Sequence, residues 1–193
     1  MTYVITSASL KAGCGKSELV KKLSKYLLEK DNRVLVIDTD INQPTVYKYF
    51  KEEFPMFTKL TCINISSSET KFLDNNFFKL FDYVIIDTTS NVQDLKMLFT
   101  FVDKIITPIT LDSFTYNSLK TLQQLVNDFS TKVKSLDVIT YINDAKYQHK
   151  VEILESIRDI EKLNVLNNSL YYYKSADSLA VLEELTNNEY VSS

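Results

Sequence analysis

Glycine is almost missing from this chain: two residues in 193, about 1% against roughly 7% in ordinary proteins. Turns must therefore be made with Asn, Asp, Ser and Lys. Cysteine is equally scarce. Cys14 and Cys62 are the only two, which excludes a disulfide scaffold and a four-cysteine zinc site and points to a reducing cytoplasm. His149 is the only histidine, so no metal or triad role is assigned to one. Arg33 and Arg158 are the only arginines, and the net charge is -3. A basic surface for gripping nucleic acid is thus absent at the level of the whole chain, and only local lysine patches remain. No apolar run approaches the ~18 residues of a membrane span. The start, Met1-Thr2-Tyr3-Val4-Ile5, lacks the basic region of a secretory signal and reads as a strand.

What is present has the balance of a globular protein. Hydrophobic residues make up 45% and charged residues 24%, too apolar for a disordered chain. The length suits one domain over 1–193. Short apolar runs predict strands at Val4-Ile5, 33–38, 60–65, 83–87, 104–108, 136–142 and 163–166. Helical patterns fill 16–30, 71–80, 92–101, 115–129, 149–161 and 178–185. In the first of these, Leu19, Val20, Leu23, Tyr26 and Leu27 share one face at spacings of three and four. Such alternation predicts an α/β fold: a mostly parallel sheet of about seven strands, helices on both faces and right-handed crossovers.

Both glycines fall in one short segment, Lys11-Ala12-Gly13-Cys14-Gly15-Lys16-Ser17, after a strand and before a helix. That is the setting of a phosphate-binding loop. Glycine lets backbone N–H groups turn inward toward phosphate oxygens, and the helix N-terminus adds its unpaired N–H groups. Lys16 is placed to reach the β- and γ-phosphates, and the Ser17 hydroxyl to hold Mg²⁺. Leu10 stands where the strict loop pattern has its first glycine, and Lys11 precedes Lys16 by five residues. Cys14 reads as a small filler within the loop, although a helix N-terminus lowers a thiol pKa.

Three carboxylates follow predicted strands: Asp38 and Asp40 after the second, Asp87 after the fourth. Ligands of open parallel sheets bind outside the carboxyl ends of the strands, which gathers all three beside the loop. Carboxylates repel a triphosphate by roughly 4 kcal/mol per close pair at an effective dielectric of about 20, and a divalent cation removes that conflict. Mg²⁺ takes few protein ligands, so Ser17 would bind it directly with the acids behind. A remaining carboxylate can orient or deprotonate water. The plainer alternative is that each acid only caps the helix after it.

These segments resemble the ParA/MinD family of deviant Walker-type ATPases. The family's signature loop, K-G-G-x-G-K-[ST], is matched by Lys11 to Ser17 except at Ala12. Val36-Ile37-Asp38-Thr39-Asp40 is similar to the family's acidic segment, and Tyr83-Val84-Ile85-Ile86-Asp87 to its Walker B strand. The segment from Lys104 to Phe114 is similar to the strand that follows in plasmid-partition members. Size and ending resemble the short, ParF-type partition proteins. The resemblance implies a single-domain P-loop NTPase that uses ATP, ADP and Mg²⁺. Residues Lys11 to Glu18 would line the nucleotide. Lys11 would reach the phosphates of a partner chain across an ATP-bound homodimer, and Lys16 would bind phosphates in its own chain. Ser17 would ligate Mg²⁺ with Asp38 and Asp87 behind it. Asp40 would position the hydrolytic water, and Asn143 would contact adenine. Two departures stand out: Ala12 for glycine, and Asp87-Thr88-Thr89-Ser90 without the usual proline and glycine.

The implied work is DNA or plasmid segregation, with a small centromere-binding adaptor of ParB/ParG kind stimulating hydrolysis. Location would be cytoplasmic and nucleoid-associated. Lysine patches for non-specific DNA contact would be Lys132 and Lys134, then Lys146, His149 and Lys150, and Lys174, each equally readable as a solvated face. The acidic segment from Leu182 to Tyr190 argues against a MinD-like membrane helix. Cys14 and Cys62 do not match a nitrogenase-type cluster. Two other readings stay open: a ParA-like positioning ATPase for a non-DNA cargo, and a P-loop kinase acting on tyrosine or a metabolite, the latter prompted by Tyr171-Tyr172-Tyr173.

Overall fold

Val34-Leu35-Val36-Ile37-Asp38 is buried at every position, as a strand covered on both faces must be. It is β2 of a computed structural model that describes residues 2–73, 75–110, 115–130, 132–133, 136–142, 157, 160, 163–165, 170–171, 183 and 186. The other strands are β1 (Tyr3–Ser7), β3 (Leu60–Asn64), β4 (Tyr83–Asp87), β5 (Lys104–Thr110), β6 (Leu136–Ile142), β7 (Leu163–Val165) and β8 (Leu170–Tyr171). The helices are α1 (Lys16–Glu29), α2 (Thr45–Glu53), α3 (Asn75–Phe78), α4 (Val92–Phe99) and α5 (Thr115–Phe129).

The strands form one sheet in the order β3-β2-β4-β1-β5-β6-β7, and β8 also pairs with β6. Every described pairing is parallel. The expected sheet of about seven strands is borne out: seven lie along its path among the described residues, with the two-residue β8 beside them, and β1 to β5 surround the candidate site. The edge beside β6 is shared, because β7 pairs with Leu136–Val138 and β8 with Tyr141–Ile142. A two-residue strand leaves no periodic signal in a sequence.

Alternate residues of β1, β2, β4 and β5 feed two cores. Val36, Ile5, Ile85 and Ile106 point to one face with Leu19, Leu23 and Leu27 of α1 and Val46 and Phe50 of α2. Leu35, Ile37, Val84, Ile86 and Ile105 point to the other, against Leu95, Leu98 and Phe99 of α4 and Leu119 and Leu122 of α5. This period-two split fixes the register, since a one-residue slip would exchange the two faces.

Two helical expectations are corrected. The stretch 71–80 is a 3₁₀ turn at Thr70–Phe72 and then the single-turn α3. Helix α2 has no counterpart among the expected helices, because Val46-Tyr47-Lys48-Tyr49-Phe50 is rich in residues that prefer strands. The expected helices 149–161 and 178–185 lie largely outside the described residues. The end of α1 shows how the chain manages without glycine. Asp31 takes the left-handed backbone (φ 67°), and the Asn32 amide and side chain both donate to the Leu27 carbonyl, at 3.1 and 3.0 Å.

Candidate nucleotide-binding site

The register places one row of residues across four strand ends: Asn64 beside Asp38, Asp38 beside Asp87, and Asp87 beside Ser7. The loop that leaves Ser7 runs along this edge into α1. Gly13 (φ 71°) and Gly15 (φ 98°) both have left-handed backbones. A Cβ on Gly13 would meet nothing within 4 Å, so the dihedral and not crowding demands glycine there. Gly15 is the N-cap of α1 and offers no side-chain cap, and a helix N-terminus favours an anion.

The two substitutions in the loop have local explanations. Ala12 does not have a positive φ, so its Cβ brings no strain. Leu10 packs on the core beside α4 and α5, so an apolar anchor stands where the strict pattern has glycine. Cys14 is buried, at 1% exposure. Glu18 is exposed and lies 3.9 Å from Lys22 one turn on. Lys11 is half-buried, and its amide donates to Ser9 Oγ at 3.1 Å.

Lys16 is 9% exposed. Its Nζ donates to the Lys11 carbonyl at 3.2 Å and to Ser90 Oγ at 3.0 Å. The Ser17 hydroxyl donates to Asp87 Oδ2 at 2.7 Å. Asp87 is buried, and its Oδ1 has no hydrogen-bond partner among the described residues. Burial pushes its carboxyl pKa up to about 7. The Ser17 bond opposes that shift, Asp38 adds to it, and Lys16 and Lys21 oppose it. A buried acid with one orphaned oxygen is costly.

Asp38 is held differently. Its Oδ1 accepts the Asp40 amide at 3.1 Å, and its Oδ2 accepts the Val46 and Tyr47 amides, each at 3.0 Å. It therefore caps α2 from eight residues upstream, the cap that Pro44 cannot supply. Burial nonetheless raises its pKa, against the three amide bonds. Asp40 Oδ1 accepts the amides of Asn42 and Gln43 at 3.1 and 2.9 Å. Asn64 Nδ2 donates to the carbonyls of Asp38 and Asp40 at 2.9 and 3.2 Å and ties that loop to β3.

The structure thus gathers Lys16, Ser17, Asp38, Asp40 and Asp87 at one sheet edge. Asn143 lies outside the described residues, as do Lys134, Lys146, His149, Lys150 and Lys174. Lys132 sits at the other end of the strands, where its Nζ reaches Asp103 Oδ1 at 2.7 Å, so its charge is locally compensated. Sequence reasoning missed Ser90 and Asn64. The unusual ending Asp87-Thr88-Thr89-Ser90 was the available signal for the first; nothing local marks the second.

A parallel sheet, a glycine loop opening a helix and a strand-end aspartate on its serine define a P-loop nucleotide-binding domain. The profile of the CobQ/CobB/MinD/ParA nucleotide-binding domain matches residues 5–181, and the chain belongs to that family. The fold is similar to cobyrinic acid a,c-diamide synthase from Mycobacterium smegmatis, solved with ADP and magnesium: TM-score 0.73, 17% identity, 95% of this chain and 92% of that one. It is similar to a putative plasmid partition protein from Borrelia burgdorferi bound to AMPPNP: TM-score 0.70, 21% identity, 95% and 97% covered. It is also similar to apo McdA from Cyanothece: TM-score 0.65, 18% identity, 98% and 95% covered. No curated protein matches in sequence. Among the described residues no helix is long and apolar enough to cross a membrane.

Proposed function

We propose that this protein is a Mg²⁺-dependent ATPase of ParA type that converts ATP and water to ADP and phosphate. The observation that carries this is the joined set of Gly13, Gly15, Lys16, Ser17 and Asp87. Two left-handed glycines shape the loop, a buried ammonium bonds to two uncharged acceptors among the described residues, and the Ser17 hydroxyl rests on a buried acid with an orphaned oxygen. Phosphates fit the first two features and a hard cation fits the third. When bound, Mg²⁺ would neutralise charge on the phosphates.

The chain's own residues have separable tasks. Lys16 offers a point charge to the phosphates of its own chain. Ser17 presents its oxygen to the cation, with Asp87 behind it. Asp38 holds the start of α2 and the Asp40 amide. Asp40 is fixed through Oδ1 and uses Oδ2 to orient water. Phosphoryl transfer asks little more of a protein than such positioning and electrostatics. Lys11 would serve a second copy across an ATP-bound homodimer, and Asn143 the adenine.

The cellular work in this reading is plasmid or DNA segregation in the cytoplasm, in contact with the nucleoid. A small centromere-binding adaptor would stimulate turnover. Its support is family membership and the fold shared with the Borrelia partition protein. Phosphate release from ATP with Mg²⁺ tests the reaction. We expect steady release that Lys16→Ala lowers at least about a hundredfold, the scale of losing one positioned electrostatic group. Transfer of labelled phosphate to tyrosine or a metabolite instead of water would contradict hydrolysis and favour a kinase.

A further inference from the structure

At the end of the sheet opposite the nucleotide loop, a cleft opens between the start of β1, the 3₁₀ turn with α3, and the segment leading into β5. Its volume is about 440 Å³, within the roughly 300–1,000 Å³ of small-molecule sites. Hydrogen bonds fix two of its walls. Thr2 Oγ1 donates, in a shared bond, to the carbonyls of Phe78 and Phe81, each at 2.9 Å, and so fastens α3 to the start of β1. Asp103 Oδ2 accepts the Val4 amide at 2.9 Å, and its Oδ1 accepts Lys132 Nζ at 2.7 Å. Lys132 Nζ also donates to the Phe101 carbonyl at 3.2 Å. The cleft is thus largely preformed, as ligand sites usually are. None of the described nucleotide-site residues lines it.

The floor of the cleft is apolar. Val4, Leu73, Phe78 and Phe101 line it, and the rings of Phe78 and Phe101 stack at 24° with centroids 6.3 Å apart. Such a surface suits a flat apolar body. The charged lining has one sign in excess: Lys71, Lys79 and Lys132 against Asp103. Asp103 is taken up by Lys132. Lys71 and Lys79 form no ion pair among the described residues. Lys71 Nζ lies instead 5.0 Å from the centre of the Phe72 ring. Phe72 and Leu80, the chain neighbours of these two lysines, are 74% and 58% exposed. Exposed apolar side chains rimmed by polar ones beside a cavity mark a ligand groove.

We propose that this cleft binds a small organic anion. Its apolar body lies against Phe78 and Phe101, and its carboxylate, sulfonate or phosphate head meets Lys71 and Lys79. An oxyanion offers each ammonium a charge-assisted hydrogen bond, while the lysine stems cover the apolar body. A neutral apolar molecule gains the floor alone. A bare anion such as inorganic phosphate gains the rim alone. The cleft therefore prefers a molecule that carries both. This site is separate from the nucleotide loop, and the proposal stands whether or not the chain hydrolyses ATP.

Two fluorescent probes test it in the full chain: anilinonaphthalene sulfonate, and its neutral parent phenylnaphthylamine. The sulfonate should saturate at one probe per chain. Lys71→Gln combined with Lys79→Gln should weaken it about tenfold, the scale of one hydrogen bond to a charged group. The neutral probe should change by less than about twofold on the same scale. Both lysines are exposed, so the melting temperature should not move. Lys48→Gln combined with Lys51→Gln removes the same charge from α2, outside the cleft, and should leave both probes unchanged. Leu73→Trp, which fills the cleft, should weaken both. Four results would overturn the proposal: no saturable sulfonate binding by the wild type, no change in the Lys71 and Lys79 variant, equal weakening in the two lysine variants, or displacement of the probe by saturating ATP–Mg²⁺.

Discussion

Asp87 keeps a buried carboxyl with one oxygen bonded to Ser17 and the other without a hydrogen-bond partner among the described residues. That arrangement is costly to the fold. Asp87→Asn should therefore raise the melting temperature of the nucleotide-free protein at pH 8 and weaken Mg²⁺-dependent nucleotide binding. Calorimetry and fluorescence titration with a labelled nucleotide and Mg²⁺ read the two effects, and a lower melting temperature would contradict the account. Asp82, in contrast, is an acid made easier to ionise. The side-chain and amide hydrogen bonds of Arg33 bring its pKa down to about 2. A depressed acid stabilises the folded state above its ordinary pKa near 4 and loses that contribution as pH falls toward 2. Asp82→Asn should thus melt below wild type at pH 6, with the gap closing near pH 2. The pair is half exposed, so the gap should be small. At this scale the phosphate loop was legible because a chain that avoids glycine kept both of its glycines there. The second use of Asp38 was not, since its partners Val46 and Tyr47 are brought to it only by the fold.

Helix α2 depends on an acid outside itself. Asp38→Ala would leave two first-turn amides without their acceptor and should cost about 1–3 kcal/mol in denaturant unfolding. Asp38→Asn, which keeps an acceptor oxygen, should cost less. Equal losses would show that charge and not capping is at work. The α4 cap is local by comparison: Asn91→Ala should cost about 1 kcal/mol. The strands were legible because burial on both faces writes continuous apolar runs such as Val34 to Ile37. Helix α2 was hidden because its aromatic and β-branched residues suggest a strand, and its cap lies in another element. The stretch 71–80 looked like one helix because its apolar spacing continues across the break after Phe72.

The described residues form a sheet with a core on each face and the candidate site along one edge. Strand and helix alternation dictates that edge, so the amino-acid pattern alone carries both the fold class and the position of the loop. The proposed cargo and adaptor would leave no such trace, because a partner's surface is not constrained by this chain's own packing. In the proposed function ATP joins two copies of the chain. The most direct test is solution mass by light scattering with ADP–Mg²⁺, with ATP–Mg²⁺, and with ATP–Mg²⁺ on Asp40→Ala. The account predicts a monomer with ADP, a dimer with ATP, and a longer-lived dimer in Asp40→Ala, where water is no longer oriented. A mass that ignores nucleotide in all three would contradict it, and Lys11 would then serve a monomeric enzyme.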